Sequence, residues 1–241
     1  MRIFSMTDVG LKRSTNQDSF YAGEFDNGAA FAVVCDGMGG ANAGNVASEK
    51  AASIISEYIV KSYSFKMNAT AIETMLRAAV DSANSEIFNL AKTNEEYNGM
   101  GTTVVAALCV DNLVHIVHVG DSRAYLIGKD EISQLTVDHS VVQSMVESGE
   151  IAQDEAKNHP NKNIITRAIG AKEDILCDYT MAIKPENFVL VICTDGLSNF
   201  VDDDVILSTV KNTDKENCAS ELVKIANNAG GNDNITVVLI Y

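Results

Sequence analysis

The chain has 241 residues, of which 46% are hydrophobic and 21% charged, with a formal net charge of −15. That length allows a deep core, and the negative balance argues against a nucleic-acid backbone as partner, since affinity there comes from neutralising phosphates. No apolar run is long enough to span a bilayer, and Met1-Arg2-Ile3-Phe4-Ser5 has no leader-like apolar stretch, so no membrane insertion and a cytoplasmic location are expected. The five cysteines, Cys35, Cys109, Cys177, Cys193 and Cys218, form no close pair. Three of them, Cys35, Cys109 and Cys193, lie in apolar runs and are expected to be reduced core residues.

Residues 1–8 read as a first strand, followed by a polar loop over 10–18 that carries Arg13 and Asp18. Residues 19–24 and 29–35 read as a hairpin turning at Asp26-Asn27-Gly28. The period then becomes helical. Ala47, Ala51, Ile55 and Ile59 mark one helix; Ile72, Leu76, Ala79, Val80, Ala83 and Ile87, behind a cap at Asn68 or Thr70, mark a second. Strands are expected from Met100 through Val110, at 113–119, 123–127 and 131–135, then a short helix at 140–147 and a helical turn at 154–157. Strands at 175–183 and 188–194, helices at 201–210 and 215–229, and a closing strand at 235–240 complete the chain. With two prolines, no linker and no fixed repeat, the expectation is one domain over 1–241. Its predicted class is α+β: two antiparallel sheets packed face to face with helix pairs outside. Periodicity does not give the strand order.

The chemistry-bearing stretch is Ala32-Val33-Val34-Cys35-Asp36-Gly37, an apolar run that ends in a carboxylate. The design recurs at Ile192-Cys193-Thr194-Asp195-Gly196, at Val119-Gly120-Asp121, and at Gly231-Asn232-Asp233-Asn234 before the last apolar run. Taken singly, each is an ordinary turn sequence. Together they place four aspartates at strand ends with few basic residues nearby, where unpaired carboxylates are costly. Oxygen-only ligands of this kind suit Mg²⁺ or Mn²⁺. Arg13, whose planar fork matches phosphate oxygens, is the candidate for holding a phosphate.

Arg13-x-x-Asn16-Gln17-Asp18, Asp36-Gly37-Met38-Gly39-Gly40, Met100-Gly101-Thr102-Thr103, Gly120-Asp121-Ser122-Arg123, Asp138-His139-Ser140, Thr166-Arg167-Ala168-Ile169-Gly170, Thr194-Asp195-Gly196 and Asp233-Asn234-Ile235-Thr236 follow in order. This ordered set, spanning nearly the whole chain, resembles the bacterial metal-dependent Ser/Thr protein phosphatases of type 2C. The resemblance implies a four-layer α-β-β-α sandwich that hydrolyses phosphoserine and phosphothreonine in proteins through a water bridging two Mn²⁺ or Mg²⁺ ions. It implies that Asp36 bridges the two ions and the Gly37 carbonyl binds one of them. Asp195 and Asp233 would complete the first ion, and Asp121 with Asp195 would hold a weaker third. Asp18 would act at one remove, Arg13 would bind the substrate phosphate, and a flap over about 145–170 would lie beside the cleft. The implied partners are phosphorylated proteins, among them a Ser/Thr kinase and its substrates.

The sequence departs from the family at Ala41 and Asn45, where relatives carry His and Glu, and the general acid is left unassigned. The departure keeps open a catalytically weak or silent phosphoprotein-binding module of the same fold; an acidic Ca²⁺-binding protein is a third reading. His115 and His118, on opposite faces of one strand, are expected as core histidines, and His139 as a hydrogen-bonding support for its loop. His159, in the flap segment, is open between substrate contact and plain surface. Asp121 has a structural alternative, an ion pair with Arg123.

Overall fold

The computed structural model describes residues 1–40, 43–157 and 159–241. One sheet contains β1 (Ile3–Asp8), β7 (Arg123–Ile127), β8 (Ile132–Gln134), β10 (Val189–Cys193) and β11 (Ile235–Ile240), in the order β1-β11-β10-β7-β8. The other contains β2 (Asp18–Glu24), β3 (Ala30–Met38), β5 (Val104–Val110), β6 (Leu113–Val119) and β9 (Asp178–Ile183) in that order, with the two-residue β4 (Gly101–Thr102) against the end of β3. Every pairing is antiparallel. Helices α1 (Ala43–Ser62) and α2 (Ala69–Thr93) cover the second sheet; α6 (Asp203–Asn212) and α7 (Lys215–Asn228) cover the first.

Four layers produce three apolar seams, and the side-chain period of a strand assigns residues to them. In β3, Phe31, Val33 and Cys35 face α1 and α2, whereas Ala30, Ala32 and Val34 face the other sheet. Because both faces are covered, the strand reads as a continuous apolar run. The inter-sheet seam is built from small residues such as Ala30, Ala32 and Ala107 beside Ile116, Leu190 and Ile192. The helix α1 presents Ala47, Ala51, Ala52 and Ile55 to its sheet. In α2 the Asn68 side chain accepts from the Ala71 N–H at 2.9 Å, capping the helix at the first of the two expected positions. All five cysteines are buried and unpaired.

The predicted element types hold, with shifts at the boundaries. Strand β3 runs through Met38, so Asp36 lies inside the paired strand opposite Asp18, and not beyond its end. Strand β9 begins at Asp178, three residues later than expected, and α6 begins at Asp203, after Asp202. The short α5 (Asp195–Ser198), absent from the sequence expectation, starts at Asp195 itself. The 140–157 region contains α3 (Val141–Glu147), capped by Ser140, and the single turn α4 (Gln153–Ala156). Among the described residues, no helix is long and apolar enough to cross a membrane.

At Gly37 the chain passes so close to α1 that an added Cβ would overlap the Gly44 carbonyl. Backbone atoms on both sides leave no room to relax. Gly37→Ala is therefore expected to destabilise the protein by about 1–3 kcal/mol, a typical overpacking cost, measured as a lowered midpoint in urea unfolding. An unchanged midpoint would mean that α1 moves freely at its start.

Candidate metal centre

The carboxylates gather where the inter-sheet seam ends. In β3 the interior stripe Ala30, Ala32, Val34 continues to Asp36. In β2 it runs Ala22, Phe20, Asp18, and the register places Asp18 directly opposite Asp36. Like charges opposed across a strand pair repel. The other sheet answers with hydroxyls: Thr194 Oγ1 and Thr236 Oγ1 donate to Asp18 Oδ2 at 2.9 and 2.7 Å. Asp18 Oδ1 is buried and has no partner.

Asp36 is fixed through its backbone. Its N–H donates to Thr103 Oγ1 at 3.0 Å, and its carbonyl accepts from the Thr103 N–H and the Thr102 hydroxyl at 2.9 and 2.8 Å. Asp195 opens α5, where Asn199 Nδ2 donates to its Oδ2 at 2.9 Å; its Oδ1 is buried and unpartnered. Asp121 follows β6 and is 8% exposed. Asp233 precedes β11 and accepts from Arg13 Nη2 at 2.8 Å. The Arg13 loop is tied down by Asn234, whose Oδ1 accepts from Gln17 N–H at 2.8 Å and whose Nδ2 donates to the Val9 and Thr15 carbonyls. Asn234, Thr194 and Thr236 were not singled out as site residues from sequence. The only trace of their role was that they flank Asp195 and Asp233.

Burial is the main cause that raises the carboxyl pKa values. Asp18 is raised to about 7, its hydrogen bonds from Thr236 and Thr194 acting in opposition, and Asp121 to about 8, with Asp195 as the next contributor. Asp195 is raised to about 6 and Asp36 well above its ordinary value, repulsion from the neighbouring carboxylates adding to burial in both cases. Asp36 and Asp195 nonetheless keep part of their surface open to solvent, as residues lining a concavity do. Arg13 is raised, chiefly by its bond to Asp233.

These features fit a divalent cation centre. The donors are all oxygen, two buried carboxylate oxygens lack partners, and the repulsion among the aspartates is what a cation would relieve. A cleft of about 740 Å³ opens beside Asp121 and Asp195, with Lys157, Lys162 and Phe200 on its walls. Lys157 Nζ meets Asp202 at 2.7 Å, and Lys162 Nζ sits 5.6 Å from the Phe200 ring centre.

Other expectations sort as follows. Arg123 pairs with Asp138, at 2.7 Å, and not with Asp121, which removes the structural alternative for Asp121. His115 bonds Tyr179 Oη on the helix side and His118 bonds the Val137 carbonyl on the inter-sheet side, both buried. His159 does not line the cleft; its Nδ1 accepts from the Asn161 N–H at 3.2 Å, closing a local turn. Asn45 is exposed near the start of α1. Ala41 lies outside the described residues.

His118, His139 and Asp178 also have metal-like spacing, with ligand atoms within 4.8 Å of one another. Their hydrogen bonds speak against an ion there. His139 Nδ1 accepts from the Gly120 N–H at 3.1 Å, and its Nε2 is occupied by two neighbours, Arg167 Nη1 at 3.0 Å and Asp178 Oδ2 at 3.2 Å. Arg167 already supplies the positive charge, donating to Asp178 Oδ1 at 2.9 Å.

The pKa shifts imply a signed pH effect. The folded, metal-free carboxyls bind protons more tightly than unfolded ones, whose pKa is near about 3.9. The contribution of these groups to folded stability is then full below the unfolded value and is lost as pH rises through the folded values. With chelator present, the melting temperature is expected to fall between about pH 5 and about pH 8. Saturating Mn²⁺ should flatten or reverse that slope, because metal binding displaces protons. Identical slopes with and without Mn²⁺ would remove the centre.

Comparison with known proteins agrees with this geometry. The family model described as "Protein phosphatase 2C" matches residues 12–233. The Serine/threonine phosphatase stp of Listeria monocytogenes is 38% identical over 237 residues, covering 97% of this chain and 93% of that protein. The solved Streptococcus agalactiae serine/threonine phosphatase superposes with a TM-score of 0.92 at 34% identity, over 100% of this chain and 98% of that one. The catalytic domain of the serine threonine protein phosphatase PstP, solved in complex with two manganese ions, gives 0.85 at 34% identity, over 99% and 96% of the two chains. The chain belongs to the protein phosphatase 2C family.

Proposed function

We propose that residues 1–241 form one phosphatase domain that hydrolyses phosphoserine and phosphothreonine in proteins, opposing a bacterial Ser/Thr kinase, and that the segment at about 145–170 acts as a flap over the cleft. Family membership makes the chain a metal-dependent protein-serine/threonine phosphatase that uses Mn²⁺ or Mg²⁺. The observation that carries the reading is the convergence of Asp18, Asp36, Asp121, Asp195 and Asp233 at one end of the inter-sheet seam, with Arg13 beside them.

Two such ions, when bound, would supply an activated water and offset the charge of the phosphate. The residues that would hold them are Asp36, the Gly37 carbonyl, Asp195 and Asp233, with Asp121 and Asp195 for a weaker third. The protein's own contribution is placement. Arg13 is half exposed and oriented by Asp233, so its remaining N–H groups are free for the phosphate oxygens. Asp18 is locked by two threonine hydroxyls with its second oxygen aimed into the cluster, where it can accept a proton from a held water. The cleft leads from Asp121 and Asp195 to Lys157 and Lys162, and is the concavity in which a phosphopeptide would lie.

The test is phosphate release from a phosphothreonine peptide with Mn²⁺, Mg²⁺, Ca²⁺ or chelator. Activity is expected with Mn²⁺ or Mg²⁺ and none with chelator. Asp36→Asn, Asp195→Asn or Asp233→Asn should each nearly abolish turnover. A wild-type protein that binds the peptide without releasing phosphate would instead be the silent binding module.

Arg13→Ala should raise KM more than it lowers kcat if the contact is equal in ground and transition states. Kinetics unaltered by that substitution would take Arg13 out of the site.

A further inference from the structure

Asp121 follows Gly120, whose φ of +104° lies where side chains are rarely tolerated; an added Cβ would come within 2.6 Å of Thr103 Cγ2. Glycine is the backbone's most permissive residue, so this hinge by itself would leave the Asp121 carboxylate poorly aimed. One residue removes that freedom. His139 accepts the Gly120 N–H on Nδ1 at 3.1 Å, and its own N–H donates to the Gly120 carbonyl at 2.9 Å. These bonds hold the peptide groups on both sides of the Gly120 Cα, and so fix both of its dihedral angles. The residue after Asp121 is held independently, Ser122 Oγ lying 2.7 Å from Thr103 Oγ1.

His139 is itself well held. It is 6% exposed and stacks on His118, with ring centres 4.7 Å apart. Its carbonyl accepts from the Thr166 N–H at 2.7 Å, on the limb that returns from the flap segment. Its Nε2 lies 3.0 Å from Arg167 Nη1 and 3.2 Å from Asp178 Oδ2. We propose that His139 is a positioning residue for the metal centre: by clamping Gly120 it sets the Asp121 carboxylate, and thereby the affinity of the weaker cation position. The inference rests on Asp121 being a ligand, as proposed above.

The two ring nitrogens can be tested separately. In His139→Asn, the side-chain oxygen sits at the reach of Nδ1 and can still accept from Gly120. In His139→Gln, the polar group sits at the reach of Nε2 and the Gly120 bond is lost. The measurement is Mn²⁺ binding to the otherwise wild-type chain by isothermal titration, with free Mn²⁺ counted by electron paramagnetic resonance and folding checked by thermal melting. Asp121→Asn identifies the weaker class of sites. His139→Gln is expected to weaken that class by about ten- to hundredfold, as loss of a group that orients a ligand typically does, and to leave the tighter sites near wild type. His139→Asn should stay within about threefold of wild type, and so should Asp178→Ala, which acts on the Nε2 side alone, removing one Nε2 neighbour and the carboxylate that holds the other, Arg167, while leaving the Gly120 bond to Nδ1. A wild-type isotherm for His139→Gln, or equal losses in the asparagine and glutamine variants, overturns the proposal. Should the glutamine variant not fold, His139→Asn and Asp178→Ala decide: both near wild type supports the clamp, and loss of the weaker class in either overturns it. If Asp121→Asn leaves every class unchanged, the ligand assignment fails and the inference falls with it. Failure of His139→Gln alone leaves the ligand assignment standing.

Discussion

The constraint on which this structure depends is the repulsion among carboxylates collected where burial withdraws most of their water. Ionised carboxylates in such a place are expensive without a compensating cation. Among the described residues Arg13 is the one basic side chain bonded to the cluster, and its bond is to Asp233. The rest of the local design holds acidic groups against that repulsion: two threonine hydroxyls on Asp18, three hydrogen bonds on the backbone of Asp36, and Asn199 on Asp195. A charged site of this kind is preorganised at a cost to the fold, and a divalent ion turns that cost into affinity.

The sandwich makes the arrangement possible. Its inter-sheet seam is narrow because small side chains fill much of it, and at one end the apolar stripe on each strand passes into polar residues. Asp18 and Asp36 come from one sheet; Thr194, Thr236 and the approach to Asp195 come from the other. The sheets therefore meet at the site through hydrogen bonds, where elsewhere they meet through methyl groups. A shift of one sheet against the other would separate Asp18 from its threonines, so packing and chemistry constrain each other.

The region after β8 attaches to the same centre at more than one point. Farther along the chain, Ile165 pairs with Ser140 and Ile169 with Thr102. Thr102 touches the Asp36 carbonyl, and His139, beside Ser140, clamps Gly120. One anchor thus reaches the backbone of Asp36 by a single hydrogen bond, and the other reaches Asp121 through His139 and Gly120. The outer part of the region rests on the start of α6 through Lys157 and Asp202. That exposed pair contributes little to stability, whereas Ser140, Thr102 and Ile169 are buried.

Much of this was legible in the sequence. The period-two stripe Ala30, Ala32, Val34, Asp36 already places one carboxylate on an interior face, and the helical period of α1 and α2 identifies the faces they bury. The ordered motifs pointed to the family, and to the aspartates and arginine that the fold then brings together. Tertiary structure alone decided the rest, because it depends on contacts between residues far apart in the chain. Local periodicity carries no information about strand order, nor about the partner of Arg123, which chose Asp138 across a turn over its close neighbour Asp121. The hydroxyls on Asp18 come from residues 176 and 218 positions away. His139 has an ordinary sequence context, and it became a clamp only because the fold set its ring against the one glycine whose freedom had to be removed.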